Sequence, residues 1–519
     1  MASKDLFSSS RGEMADTKNR AGGVAFKMSD KHELAQYALT GTFNTTYYAR
    51  PLKSELDRVL ELVKRVGKED PEFIAKLAVY ARQEGLMKDT PAFMVAFLAT
   101  IDTKLMERVF PKVINNGKML RNFVQMIRSG QLGRKSLGSA PKRAVLNWLE
   151  SRSDDQIFFS TIGNDPSLAD VIKMVHPKPK TKSRAALYGY ILGKEHDAEA
   201  LPETVKKFEA FKKDNSGEQP SVPWEFLTGL PLETKHWKAI ARDMRFLGTI
   251  KNLNTLERHG VFKDQEFVDL VAKRVKDVSQ IQRANVLPYQ VMAAYLNSKG
   301  SVPNKIVDAL HDAMEAAISN VPELQGETLI AIDTSGSMHS PATGYRGSAT
   351  SKMTCRDIAA LFGASVLRKN PSAKLITVSS NVVQPKVSGR DTVLTTANAL
   401  NKAGGGTALG LIGEFANKSQ TVYDNIIVVS DNESWMSDYS WGGPPLSQEF
   451  AKFRSKRNPN AKIVCIDIAA NETTQVKNKP GQLNVGGFND TVFNVVSQFI
   501  NGSNTGEEFV TTVESVSLD

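Results

Sequence analysis

One apolar run that stops on a carboxylate constrains this chain more than any other stretch. Leu329-Ile330-Ala331-Ile332 is followed at once by Asp333-Thr334-Ser335-Gly336-Ser337-Met338. Four apolar residues, half of them β-branched, suit a strand covered on both faces of a parallel sheet. Open sheets of that kind hold their ligand crevice beyond the carboxyl ends of the strands. Here that end carries Asp333, with hydroxyls two and four residues later, and Gly336 permits the sharp loop that brings both to one point. Oxygen groups with a single charge among them suit Mg²⁺, or Mn²⁺ less selectively. Taken alone, the pentapeptide reads equally well as an ordinary polar turn.

Two later stretches bear on that choice. Gly404-Gly405-Gly406-Thr407-Ala408-Leu409-Gly410 is a flexible loop that carries one hydroxyl and opens a helix, and Asn425-Ile426-Ile427-Val428-Val429-Ser430-Asp431 is a second apolar strand ending in a carboxylate. The order of the three parts resembles the metal-ion-dependent adhesion site (MIDAS) of von Willebrand factor A domains. That resemblance implies a metal site of Asp333, Ser335, Ser337, Thr407 and Asp431, taking Mg²⁺ or another divalent cation.

The periodicity changes near Gly326. Beyond it, strands Thr328–Ile332, Leu375–Ser379, Ile426–Ser430 and Ile463–Ile468 alternate with helices Lys352–Arg368, Thr392–Asn401, Ser447–Arg457 and Asp490–Ile500, with Val382–Val387 as an added edge hairpin. Alternation predicts a mostly parallel, doubly wound sheet. Before it, from about Asn19 to Asn320, apolar residues recur at helical spacing, as in Leu56, Val59, Leu60 and Val63, or Ile74, Leu77, Ala78 and Ala81. Asp70-Pro71 and Thr90-Pro91 look like capped helix starts, and Pro202, Pro223, Pro288 and Pro303 mark others. Helices of about 10–15 residues joined by short turns suggest a HEAT-type α-solenoid. The chain therefore divides into a mobile N-terminal segment (1–18), a helical part (19–325), an α/β domain (326–502) and an acidic tail (503–519). The fold class is α plus α/β.

The 519 residues allow two or three domains. The start lacks the apolar core of a signal peptide, and no apolar run approaches the roughly 20 residues that span a bilayer. Cys355 and Cys465 are the only cysteines. Two cysteines support neither a disulfide framework nor a zinc site, and both read as buried packing residues. A cytoplasmic monomer is expected. The net charge of +10 is unevenly spread: from Val321 onward there are 17 Lys and Arg against 18 Asp and Glu, which leaves 49 against 38 before it. The basic excess in the first part points to a polyanion, most plausibly nucleic acid; a solvated basic surface is the plain alternative. Cations gather at Arg134 and Lys135, at Lys142 and Arg143, and at Lys178, Lys180, Lys182 and Arg184, where Pro177 and Pro179 stiffen the backbone and should hold the charges outward. Stacking aromatics are not interleaved with them, so reading of phosphate and shape is expected. The tail from Ser503 has four acidic residues and no basic one, and is expected to lie back on the basic half.

Local sequence adds a second resemblance. Gly22-Gly23-Val24, Thr40-Gly41-Thr42-Phe43-Asn44-Thr45-Thr46-Tyr47-Tyr48, Glu84–Phe93 and Pro141-Lys142-Arg143-Ala144-Val145 are similar to segments of the Ro ribonucleoprotein (TROVE) family, of the bacterial or phage type, over about Asn19 to Ile500. The resemblance implies a ring of HEAT-like helices closed by the A-domain. It also implies a small noncoding Y-like RNA on the outer basic surface, single-stranded 3′ ends of defective RNA in a central hole, and an exoribonuclease as a further partner. Asp154, Asp155 and Asp165 occupy a stretch that is more basic in animal members, so the phosphate contacts are expected at Lys178–Arg184 or the RNA differs.

Three functions compete. The first is a non-catalytic RNA-binding scaffold in RNA quality control or stability. The second is an adaptor whose metal site captures an acidic partner side chain. The third, a metallohydrolase, lacks a general base, because the sole histidine near the motif is His339 in a polar loop.

Overall fold

The computed structural model describes residues 15–19, 21–40, 52–164, 166–342, 352–401, 404–431, 434, 444–469, 473–477, 479–488, 491–502 and 508–519. The segments Gly41–Tyr48 and Asp165 lie outside them. No helix among the described residues is long and apolar enough to cross a membrane. Packing divides the chain into two compact units. One contains residues 1–62, 245–255 and 268–512; the other contains 63–244, 256–267 and 513–519.

The first unit is built on a sheet. Strands β1 (Thr17–Lys18) and β2 (Val24–Lys27) come early, followed far along the chain by β3 (Thr328–Asp333), β4 (Lys374–Val378), β5 (Val382–Val383), β6 (Asn425–Ser430), β7 (Lys462–Asp467), β8 (Thr473–Thr474) and β9 (Gln482–Gly486). The main sheet has the order β5-β4-β3-β6-β7-β9 and is parallel except for β5. β3 and β6 are buried along their whole length, as their unbroken apolar runs require. The winding runs from β3 to β4 on one side and then to β6 on the other, so the topological switch lies between β3 and β6. Helices Cys355–Lys369, Val393–Leu400, Gly410–Lys418, Leu446–Lys456 and Thr491–Asn501 accompany the strands. Leu329, Ala331, Ile376, Val428, Ile463, Phe450 and Phe453 share a buried core. Cys355 and Cys465 are buried free thiols, and burial pushes both up from their ordinary range.

The structure departs from the sequence reading in four places. β9 extends the sheet beyond the strands read from the sequence, and the edge hairpin is limited to the two residues of β5. β1, β2 and β8 form a small antiparallel sheet, so Thr17 and Lys18 are strand rather than part of a mobile segment. Helix Asp30–Thr40 belongs to the same unit: the His32 Nε2 and Gln36 Nε2 atoms reach the Asn484 carbonyl of β9 at 3.2 and 3.1 Å. The compact units thus do not follow a division at residue 325: the described residues up to 62, and those within 268–512, group with the sheet.

The second unit is helical. Asp70 caps Pro71–Gln83 by accepting from the Phe73 N–H at 2.9 Å, with Pro71 in the first turn. Asp89–Ile101 begins one residue before Thr90, which is buried inside the first turn and is no cap. Helix Thr103–Val113 packs on Asp89–Ile101 and Pro71–Gln83 before it and on Ser139–Glu150 after it, and Gly117–Arg128 packs on Asp89–Ile101, the pattern of stacked helical pairs. Phe110 and Phe123 meet edge-to-face at 5.0 Å, and Phe158 meets Phe226 at 4.6 Å in a second apolar cluster. Val513 and Leu518 are buried in this unit, where Lys76 donates to the Glu514 carbonyl and Arg108 and Lys112 hold Asp519.

Candidate metal centre and basic surface

The metal-site candidates converge at the carboxyl ends of β3 and β6, on either side of the switch. Asp333 closes β3 and is fully buried. Its Oδ1 accepts from the Ser335 N–H at 2.8 Å and its Oδ2 from the Ser430 hydroxyl at 2.7 Å. The first bond turns the chain so that the Ser335 and Ser337 hydroxyls stand 3.3 Å apart. The glycine loop is fastened to the same place: the Gly404 N–H donates to the Thr334 carbonyl and the Gly336 N–H to the Gly405 carbonyl, both at 3.2 Å. Gly405 has φ +98°, and a Cβ there would come within 2.6 Å of the Ser380 hydroxyl, so the loop needs glycine twice over. Thr407, next in the loop, is buried, and its carbonyl accepts from the Ser434 hydroxyl. Asp431 follows β6 directly and is 2 % exposed.

Two carboxylates therefore share one buried place. Burial first, and the charge of Asp431 second, push the Asp333 carboxyl up to about 7. Like charges held together out of water disfavour ionisation, and a divalent cation relieves both terms. All five donors are hard oxygens, and the donor set fits Mg²⁺, Mn²⁺ or a similar ion. His339 is exposed and its ring meets the Arg356 guanidinium at 2.8 Å. Sequence reading missed Ser430. Its position one residue before Asp431 puts it on the strand beside Asp333, a register that only strand pairing reveals.

The basic candidates all belong to the second unit, but they are unlike one another. Lys135, Lys178 and Lys182 are exposed, and Lys142 is partly so; none of these four has a carboxylate partner among the described residues. Lys180 is exposed but pairs with Glu150 at 2.7 Å, and Arg143 pairs with Glu107. Arg134 is a structural clamp: its guanidinium donates to the carbonyls of Ala99, Ser136 and Leu137 at 2.8, 3.0 and 2.8 Å. Arg184 overturns the expectation of outward charge. Its side chain is 14 % exposed, pairs with Asp154, and donates to the Leu149 and Arg152 carbonyls. The physical reason is that the stiff segment ends earlier than expected. Thr181 caps a helix running Lys182–Ile191, so Arg184 lies in its first turn and turns onto the neighbouring helix.

The family profile described as the Ro60 vWA domain matches residues 327–500. An RNA-binding protein RO60 of Deinococcus radiodurans is 24% identical over 93% of this chain and 95% of its own length. Over nearly its whole length the chain is thus similar to a Ro protein. A second RNA-binding protein RO60, from Caenorhabditis elegans, is 24% identical over 50% of this chain and 40% of its own length. The crystal structure of the Deinococcus radiodurans RO (RSR) protein superposes with a TM-score of 0.69 at 21% identity, covering 92% of this chain and 100% of that one. The Ro fold, helical first and an A-type α/β domain after it, is thus the fold of this chain.

Proposed function

We propose that this chain is a Ro-type, non-catalytic RNA-binding scaffold of the cytoplasm. In this reading it binds a small noncoding, Y-like RNA on the exposed cations of its second unit and takes single-stranded 3′ ends of defective RNA elsewhere, in RNA quality control or stability. An exoribonuclease is the expected protein partner. The observation that carries the reading is the set of exposed Lys135, Lys178 and Lys182 with partly exposed Lys142, none paired with a carboxylate among the described residues, in the half of the chain that holds the whole basic excess. Two relatives named as RNA-binding proteins support it. Asp333, Ser335, Ser337, Thr407 and Asp431 would hold Mg²⁺ or another divalent cation, which supplies charge neutralisation and an open position for an acidic group.

The deciding experiment is recovery of the protein from its native cell with cross-linking. Sequenced small RNA, bound with an affinity that falls about a thousand-fold between 50 and 200 mM salt if about six phosphates are contacted, supports the scaffold. A stoichiometric protein partner without RNA, released by chelation of divalent metal, would instead make the chain an adaptor acting through its metal site.

A further inference from the structure

The second unit contains a cleft of about 680 Å³ used by neither the metal site nor the cation clusters above. One wall is the start of helix Gly117–Arg128. Asn116 caps that helix by accepting from the Met119 N–H at 3.0 Å. This leaves the Gly117 and Lys118 N–H groups as open donors, since a helix start has no intrahelical acceptors for them.

One turn on, Arg121 lines the same cleft and is 8 % exposed. Its Nε makes one long bond to the Gly117 carbonyl at 3.4 Å. Among the described residues its terminal nitrogens have no acceptor and no carboxylate pairs with it. The guanidinium occupies space that a side chain at residue 163 would fill: a Cβ on Gly163 would lie 2.5 Å from Nη1, and Gly163 has φ +102°. A buried cation without a counter-charge is expensive, and this one opens on a cleft whose lining, among the described residues, contains no Asp or Glu. Lys118 and Arg152 add two more cations to the lining. Among the described residues only Lys118 has a carboxylate near, Asp89 at 3.8 Å. The Arg152 guanidinium lies 4.9 Å from the centre of the Trp148 ring, and half-buried Phe159 completes a flat apolar flank.

We propose that this cleft binds a nucleoside 5′-monophosphate group, its phosphate on the first turn of helix Gly117–Arg128 against Arg121 and its base against Arg152 and Phe159. Guanidinium planes and aromatic rings both stack unpaired bases, and helix starts take phosphates. A terminal phosphate suits the site better than a diester within a strand. A monoester carries about −1.5 to −2 charges near neutral pH, against one for a diester, and the cleft offers two cations without carboxylate partners among the described residues, together with a helix dipole. Two sources supply this chemistry: the phosphorylated 5′ end of an RNA, which rests on the RNA-binding reading, or a free nucleotide, which does not.

The test uses the full-length protein and four probes: 5′-AMP, adenosine, and a short single-stranded oligoadenylate with either a 5′-phosphate or a 5′-hydroxyl. Intrinsic tryptophan fluorescence, to which Trp148 in the cleft lining contributes, and calorimetry serve as readouts. The phosphorylated member of at least one pair is expected to bind about 10-fold tighter or more, the scale of one lost charge-assisted contact set. Arg121→Gln should remove that preference. Lys118→Gln and Arg152→Gln, at more exposed positions, should each reduce it about three-fold and guard against misfolding of the buried variant. Preference with the oligonucleotide but not with AMP assigns the site to RNA ends, whereas AMP binding that displaces the oligonucleotide assigns it to free nucleotide. Equal binding of phosphorylated and hydroxyl forms, in a protein that still binds RNA, overturns the proposal and leaves the RNA reading intact. AMP binding that needs Arg121 in a protein that binds no RNA does the reverse.

Discussion

The two units place charge by opposite rules. In the sheet unit, Asp333 and Asp431 are buried, of one sign, and fixed by backbone: a strand end, an Asx-type bond from Ser335, and a glycine loop tied to both sides. In the helical unit, the cations stand on long side chains at the surface, and half of those singled out are already answered by protein groups. Arg184 has Asp154, Lys180 has Glu150, Arg143 has Glu107, and Arg134 has three carbonyls. The contrast teaches that charge count locates a binding half, while only geometry separates cations that wait for a ligand from cations that hold the fold.

The largest expected effect sharpens that separation. Reversing Lys178, Lys180 and Lys182 together to Glu should weaken binding of the structured small RNA about a thousand-fold at about 0.15 M salt, and should flatten the salt dependence by about the number of phosphates lost. Filter binding with a single-stranded RNA in parallel should show a smaller loss. Small, equal losses for both would break the assignment. Arg184→Ala, by contrast, should act on the melting temperature far more than on RNA affinity, because it strands Asp154 and two carbonyls.

In the sheet unit the next largest effect is acid sensitivity. Burial lowers His32 from 6.5 to about 4, so the fold holds it neutral while the unfolded chain takes up a proton below about 6.5. Its contribution is therefore intact above that pH and declines as pH falls toward 4, by about 3 kcal/mol at most. Denaturation of wild type and His32→Gln across this window should give curves that converge toward pH 4. Parallel curves would mean that the imidazole is not the titrating group.

Removing metal should have a comparable, slightly smaller effect. Saturation with Mg²⁺ at about 100 times its Kd should stabilise the sheet unit by about 2.7 kcal/mol. Asp333→Asn should abolish that gain in a calorimetric melt, without lowering the stability of the metal-free protein, since it removes one of two repelling carboxylates. A melt of Asp333→Asn that still rises with Mg²⁺ would remove Asp333 from the site. Least of all, Lys180→Gln should change stability by under about 1 kcal/mol, as expected of an exposed pair; a larger loss in urea titration would blur the line drawn between Lys180 and Arg184.

How legible each part was in the sequence follows from the same contrast. β3, β6 and the donors around them could be read because a buried parallel strand needs an uninterrupted apolar run and the ligands follow it at fixed short spacing. β9 was missed: Gln482-Leu483-Asn484-Val485 alternates, and its two polar residues are buried, Asn484 taking bonds from residues more than four hundred positions away. β1, β2 and β8, of two to four residues each, exist through pairing that no local pattern announces. In the helical unit the periodicity was plain, but the fate of each cation depended on what the neighbouring helix offered. Arg121 sat in a helix with a buried face, indistinguishable by spacing from an ordinary surface arginine.

The partnership between the two ends of the sheet unit also sets a clock. Phe26 and Lys27 pair with Thr474 and Thr473, and His32 and Gln36 reach Asn484, so these early segments lack those particular contacts until almost the whole chain has left the ribosome. At about 5–20 residues per second, the interval between emergence of Val24–Thr40 and arrival of β8 and β9 is roughly twenty to ninety seconds. During it, buried-to-be residues such as Phe26, Leu34 and Leu39 stay open to solvent while the helical unit, local in its contacts, can form. Birth of this protein is thus out of order: the middle can be finished first, and the beginning is completed last.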